Sequence, residues 1–204
     1  MNLLVYLYRE NRDYLIISTL LFIGSAIIGY FAAGFLDTIL APVLNEFRKS
    51  IIEEELKITV LSLFSHNYQA ILLLYLGGLS LSIFTGIFLS FNGLFMGYFA
   101  SKVPFLDFIL LVAPHGIFEI PGLIIASVAG FRLTSFIIHF IGGLFSGGAE
   151  SFKMRLKRSF DDNMMELRDS LLIFFIAVIL IFIAAIVESE FTLGFYYAMK
   201  GLIG

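Results

Sequence analysis

Cysteine and tryptophan are missing from this 204-residue chain, and charged residues make up only 14% of it, against about 25% in an ordinary soluble domain. Without cysteine there are no disulfides, no thiol catalysis and no Cys-ligated zinc or iron–sulfur site in any compartment. Thirteen Lys+Arg against 16 Asp+Glu leave no basic excess to neutralise phosphates, so nucleic acid is not an expected partner. Proline is scarce as well, and two of the four prolines stand close together, at positions 114 and 121.

What fills the chain instead is apolar. Hydrophobic residues make up 59% of it, and residues 58–101 form a run of 44 without a single Lys, Arg, Asp or Glu. That is about twice the ~20 residues that cross a bilayer as a helix. A soluble enzyme domain is excluded, and the sequence reads as one all-α domain, a polytopic bundle of transmembrane helices whose first partner is the lipid bilayer.

Charges divide the chain into five expected spans, at about 14–36, 66–90, 105–131, 133–149 and 170–187. The first is a 23-residue apolar run with no small-residue cleavage site after a short core, which makes it a retained span rather than a signal peptide. As one helix the 44-residue run would extend about 66 Å against a hydrocarbon core of about 30 Å. It has to break, and Asn92-Gly93 is the expected place, leaving a short helix over 93–101.

The two long connections read as amphipathic helices. In 38–57, Leu40, Leu44, Phe47, Ile51 and Ile58 recur at helical spacing opposite Glu46, Glu53 and Glu54. In 150–168 the stripe is Phe152, Leu156, Phe160, Met164 and Leu167, flanked by Lys153, Lys157 and Arg158, which suits an anionic inner leaflet. Lys153, Arg155, Lys157, Arg158 and Arg168 outnumber Arg48, Lys49 and Lys57 of the earlier connection, so the later one is expected in the cytoplasm. Five crossings of the plasma membrane then put the N-terminus inside and the C-terminus outside. Gly93-x-x-x-Gly97 and Gly143-x-x-x-Gly147 read as close helix packing.

Ionisable groups inside a span cost roughly 2.5 kcal/mol or more, so each one has a partner or a purpose. The conspicuous segment is Ala113-Pro114-His115-Gly116-Ile117-Phe118-Glu119-Ile120-Pro121-Gly122. Pro121 cannot donate to Ile117 and disfavours helix at Ile120, which predicts an interrupted third span with its freed backbone facing protein or water. His115 and Glu119, four apart, share a face if the turn between them is helical. Three roles are open to the pair: a polar latch, the lining of a transport pathway, or two ligands of a metal that His139 would complete. Arg132 is expected near Glu188 at the outer end. Asn92-Gly93-Leu94-Phe95 faintly echoes His115-Gly116-Ile117-Phe118, as paired broken helices do in transporters.

Pro114-His115-Gly116-Ile117-Phe118-Glu119-Ile120-Pro121, followed by Gly130-Phe131-Arg132-Leu133, closely resembles the signature of the stage II sporulation protein M family of integral membrane proteins. Asn67, Asn92-Gly93 with Gly97, and Ala184-Ala185-Ile186-Val187-Glu188 resemble family positions too. The resemblance implies a prokaryotic, non-enzymatic membrane scaffold. In spore formers the family member organises cell-wall-degrading partners, so protein partners or a second copy are expected, with no catalytic residue and no cofactor. Two rivals stay open: a transporter or channel whose pathway passes Asn92, His115 and Glu119, and an intramembrane metal-dependent hydrolase using His115, Glu119 and His139.

Overall fold

The structure, a computed structural model, describes residues 2–52, 59–146 and 151–203. Among the described residues it is all helical: α1 (Leu3–Phe31), α2 (Ala33–Ile52), α3 (Val60–Leu76), α4 (Ile83–Lys102), α5 (Phe105–Phe145), α6 (Phe152–Val187) and α7 (Leu193–Ile203). A 3-10 turn over Gly77–Ser80 follows α3, and a π-turn over Glu188–Thr192 joins α6 to α7. Four of these helices, α1, α4, α5 and α6 with its π-turn, are long and apolar enough to cross a membrane. The chain is an α-helical membrane protein.

α1 begins well before the expected first span, because the Asn2 side chain caps it by accepting from the Leu4 N–H. It ends at Ala32, and α2 follows at once. α2 lays Leu40 and Leu44 on Tyr98 of α4, so these two residues of the first amphipathic segment's stripe are buried against the bundle. Its end at Ile52 leaves Glu53, Glu54 and Ile58 outside the described residues.

The long apolar run does break, but not at Asn92-Gly93. The chain turns at Gly77–Ser82, where Leu81 and Ser82 take left-handed backbone angles (φ 55° and 64°), and α4 then runs unbroken through Asn92. Asn92 keeps to its own helix by donating to the Phe88 carbonyl at 2.8 Å. Three close approaches fix the turn. Gly78 lies against the Gly130 carbonyl, the Thr85 hydroxyl donates to the Leu74 carbonyl at 2.9 Å, and the Thr134 hydroxyl donates to the Gly78 carbonyl at 2.7 Å. The expected second span is thus two antiparallel helices, α3 and α4. At 17 residues, α3 is about 26 Å long.

Against α1, the glycines of α4 do what their spacing suggests. A Cβ on Gly93 would strike the Phe22 carbonyl and Ser25, and one on Gly97 would strike the Ala26 carbonyl; Gly29 of α1 lies equally close to Leu94. The two helices run parallel with backbones in contact, the packing that small residues permit.

α5 corrects two further expectations. It is continuous over 41 residues, about 62 Å, with both Pro114 and Pro121 inside it. Each proline removes a single hydrogen bond, whereas opening the helix in an apolar surrounding would orphan several. The described part of the expected span 133–149, as far as Phe145, is therefore not a separate helix but the continuation of 105–131. α6 likewise fuses the expected basic helix and the last span into one helix of 36 residues. The charges at Arg168 and Asp169 do not end it, because Asp169 is satisfied from three sides.

α5 and α6 run antiparallel along their whole length. Gly122 abuts Ile181, Ser170 donates to the Ala129 carbonyl, and Ser159 donates to the Phe140 carbonyl at 2.6 Å. Phe22, Ile71, Leu74, Leu89, Leu123, Ile124 and Ile181, drawn from α1, α3, α4, α5 and α6, make the largest core cluster. α5 is held by the 3-10 turn and by α1 as far as Thr134 and Ser135; from there to Phe145, about 15 Å, its side-chain bonds and ring contacts among the described residues run to α6 as a hairpin.

Candidate functional site

Polar side chains gather at two levels of the bundle. At the base of the hairpin, Asp169 of α6 is fully buried, and three groups converge on it: Arg132 of α5 at 3.7 Å, Arg168 at 3.1 Å and the Tyr6 hydroxyl of α1 at 2.9 Å. Arg132 also lies 3.7 Å from Glu166, whose carboxylate takes a 2.9 Å bond from His139. The expected Arg132–Glu188 pair is not formed. In an antiparallel pair of helices, residue 188 falls beside 115–119, at the opposite end from Arg132.

That opposite end holds the second cluster. His115 and Glu119 sit one helical turn apart on α5, with Nε2 and Oε2 3.7 Å apart and side chains only 13% and 20% exposed. Glu188, the first residue of the π-turn, brings its carboxylate to the same place, so that one ligand atom from each of the three residues lies within 4.8 Å of the others. Among the described residues no Lys or Arg pairs with either carboxylate. The π-turn also carries Thr192 inward, and its hydroxyl bridges the Val187 carbonyl at 3.4 Å and His115 Nδ1 at 3.3 Å.

The Thr192 hydroxyl lies within reach of both the Val187 carbonyl and His115 Nδ1. With its proton on Val187, it accepts from Nδ1 and leaves a lone pair on Nε2 of the neutral ring. Nε2 faces Glu119 at a distance too long for a hydrogen bond in either direction. The imidazole and two carboxylates converge there.

His139 has no part in this cluster. It is 24 residues, about 36 Å of uninterrupted helix, from His115, so the trio His115, Glu119 and His139 cannot share an ion. Asn92, with its amide spent on Phe88, makes no hydrogen bond to His115 or Glu119, nor does Asn67, half-buried on α3. Pro114 and Pro121 bracket the His115–Glu119 turn without breaking it. Glu188 was legible as a residue of interest but not as their neighbour. Thr192 and Asp169 carried no motif that would have singled them out.

The family model of stage II sporulation protein M matches residues 18–193, across both clusters. The chain belongs to the stage II sporulation protein M family. Similar to it are two uncharacterised proteins of Methanocaldococcus jannaschii. One is 26% identical over 197 residues, covering 90% of this chain and 83% of the relative. The other is 29% identical over 140 residues, covering 64% of this chain and 69% of the relative. No solved structure matches the chain. In this family member the motif segment Pro114–Pro121 is thus a continuous turn of helix that presents His115 and Glu119 to the end of α6.

Proposed function

We propose that this family member is a non-enzymatic scaffold of the plasma membrane that recruits a partner protein through the α5–α6 hairpin. The observation that carries this reading is the hairpin's surface. Phe140, Leu156 and Phe160 line a shallow open groove together with the exposed Lys153 and Lys157. An apolar floor beside two cationic residues suits an acidic amphipathic segment of a partner, whose hydrophobic side would bury the rings while its carboxylates meet the lysines. Rigidity supports it as well. The hairpin is zipped by Ser159 to Phe140 and by Arg155 to the Leu144 carbonyl at 3.1 Å, so it offers a preformed surface.

Five helices, α1, α3, α4, α5 and α6, would each cross once, with α3 and its 3-10 turn together matching a core of about 30 Å. Arg9 and Arg12 stand near the end of the bundle from which the basic hairpin projects. Lysine and arginine on one side favour placing that side in the cytoplasm, with α2 and α7 outside.

The test is quantitative co-purification from native membranes in mild detergent. A Lys153→Glu/Lys157→Glu chain should lose the partner that the wild-type chain retains, while Glu46→Lys on α2 should keep it. Equal retention by the hairpin variant would remove the hairpin from the function.

A further inference from the structure

We propose that His115, Glu119 and Glu188 form a binding site for a divalent first-row metal ion, which fastens the π-turn and α7 to the middle of the bundle. The inference does not depend on the hairpin reading. It rests first on geometry: one nitrogen and two carboxylate oxygens, from α5 and from the start of the π-turn, already lie within 4.8 Å of one another. Small rotations of the two glutamates bring such a set to the ~2.0–2.2 Å bond lengths of zinc to imidazole and carboxylate.

The second and independent observation is the hydrogen bonding of His115. A metal-binding histidine typically donates its remote N–H to an oxygen, which fixes the tautomer and aims the other nitrogen at the ion. Here Nδ1 lies 3.3 Å from the Thr192 hydroxyl, an oxygen placed to take that N–H, and Nε2 is the atom that faces the carboxylates. The third is charge. Two carboxylates face each other among apolar helices with no Lys or Arg beside them among the described residues, and a divalent cation neutralises both at once.

The π-turn is what assembles the set. Glu188 opens the π-turn and Thr192 closes it, so this one turn supplies both a carboxylate and the hydroxyl beside His115, and π-turns recur at functional sites. One imidazole with two carboxylates is a mixed nitrogen and oxygen set. It suits zinc or manganese better than calcium, which takes oxygen alone.

The test uses the full chain in mild detergent, stripped with a chelator and dialysed against Zn2+, with Mn2+ in parallel. One ion per wild-type chain is expected, with affinity at least tenfold weaker in Glu119→Gln and in Glu188→Gln, and stoichiometry unchanged in His66→Ala. Co2+ in place of Zn2+ should give a visible absorption band in the wild-type chain that both variants lose. Circular dichroism and gel filtration establish that the variants fold. Should they fail to, Thr192→Val leaves all three ligands and is expected to weaken binding several-fold. Uptake by the wild-type chain that is nil, or equal to that of the variants, overturns the proposal. So does a protonated-carboxyl band in the infrared spectrum of the wild-type chain that persists after zinc is added, since a shared proton would then hold the cluster together.

Discussion

Tyr6 and Asp169 are 163 positions apart, yet the phenol of one donates to the carboxylate of the other at 2.9 Å. The bond ties the first turn of α1 to the point where α6 enters the bundle. Asp169 is fully buried and also holds Arg132 and Arg168. Removing one partner of a buried ion pair leaves the other uncompensated, at roughly 3–5 kcal/mol. Arg132→Ala leaves Asp169 its bonds from Arg168 and Tyr6, so it should destabilise the chain by less than that in detergent unfolding followed by circular dichroism. Tyr6→Phe, which removes one hydrogen bond to a charged group, should cost about 1.5–3 kcal/mol.

Gly97→Val should separate α1 from α4. A Cβ at that position has the Ala26 carbonyl in its way, and backbone cannot move aside as a side chain can. Overpacking of this kind costs typically about 1–3 kcal/mol, and the loss should appear in the same unfolding measurement. Gly142→Val, at a position with open space around it, is the matched control and should change little.

Pro121→Ala should be neutral or stabilising. The α5 helix already passes through Pro121, so alanine restores one N–H for the Ile117 carbonyl, a gain of about 1 kcal/mol. A large loss of stability would instead mark a break in the span that the proline enforces.

A pH effect is expected at the α2 end. The Lys102 ammonium, and after it the Tyr98 hydroxyl at 2.8 Å, hold the Asp37 carboxyl below its ordinary range. Since the folded value is the lower one, the contribution is complete above the unfolded value near 3.9 and disappears as pH falls through the folded value. Asp37→Asn should melt slightly below the wild-type chain at pH 7. The difference should close as pH falls below about 4, and the pair's exposure keeps it small.

Much of the architecture was legible because hydrophobic runs and helix-packing glycines act locally. All-helical character, close helix packing through Gly93 and Gly97, and an apolar stripe holding Leu40 and Leu44 follow from spacing alone; which helix each would meet does not. The breaks were not legible, because a break depends on whether freed backbone groups find partners. Gly77-Gly78 turns since Thr134 and Gly130 lie across from it, whereas Asn92-Gly93 and Pro121 stay helical since nothing there would receive the opened backbone. The site followed the breaks. Once α5 is continuous, His139 is carried about 36 Å from His115 and Glu188 takes its place, a pairing fixed by the register of α5 against α6.

An uninterrupted α5 joins the far end of the hairpin to Phe105 with no joint between them. A sideways pull on the tip at Phe145 acts on a rod some 62 Å long, which the other helices hold as far as Ser135. Torque from whatever seizes the hairpin would reach Glu119 and Asp107 directly, and through the 3.1 Å contact of Asp107 with Lys200 it would reach α7 at the opposite end of the rod. The mechanical unit is the rod itself.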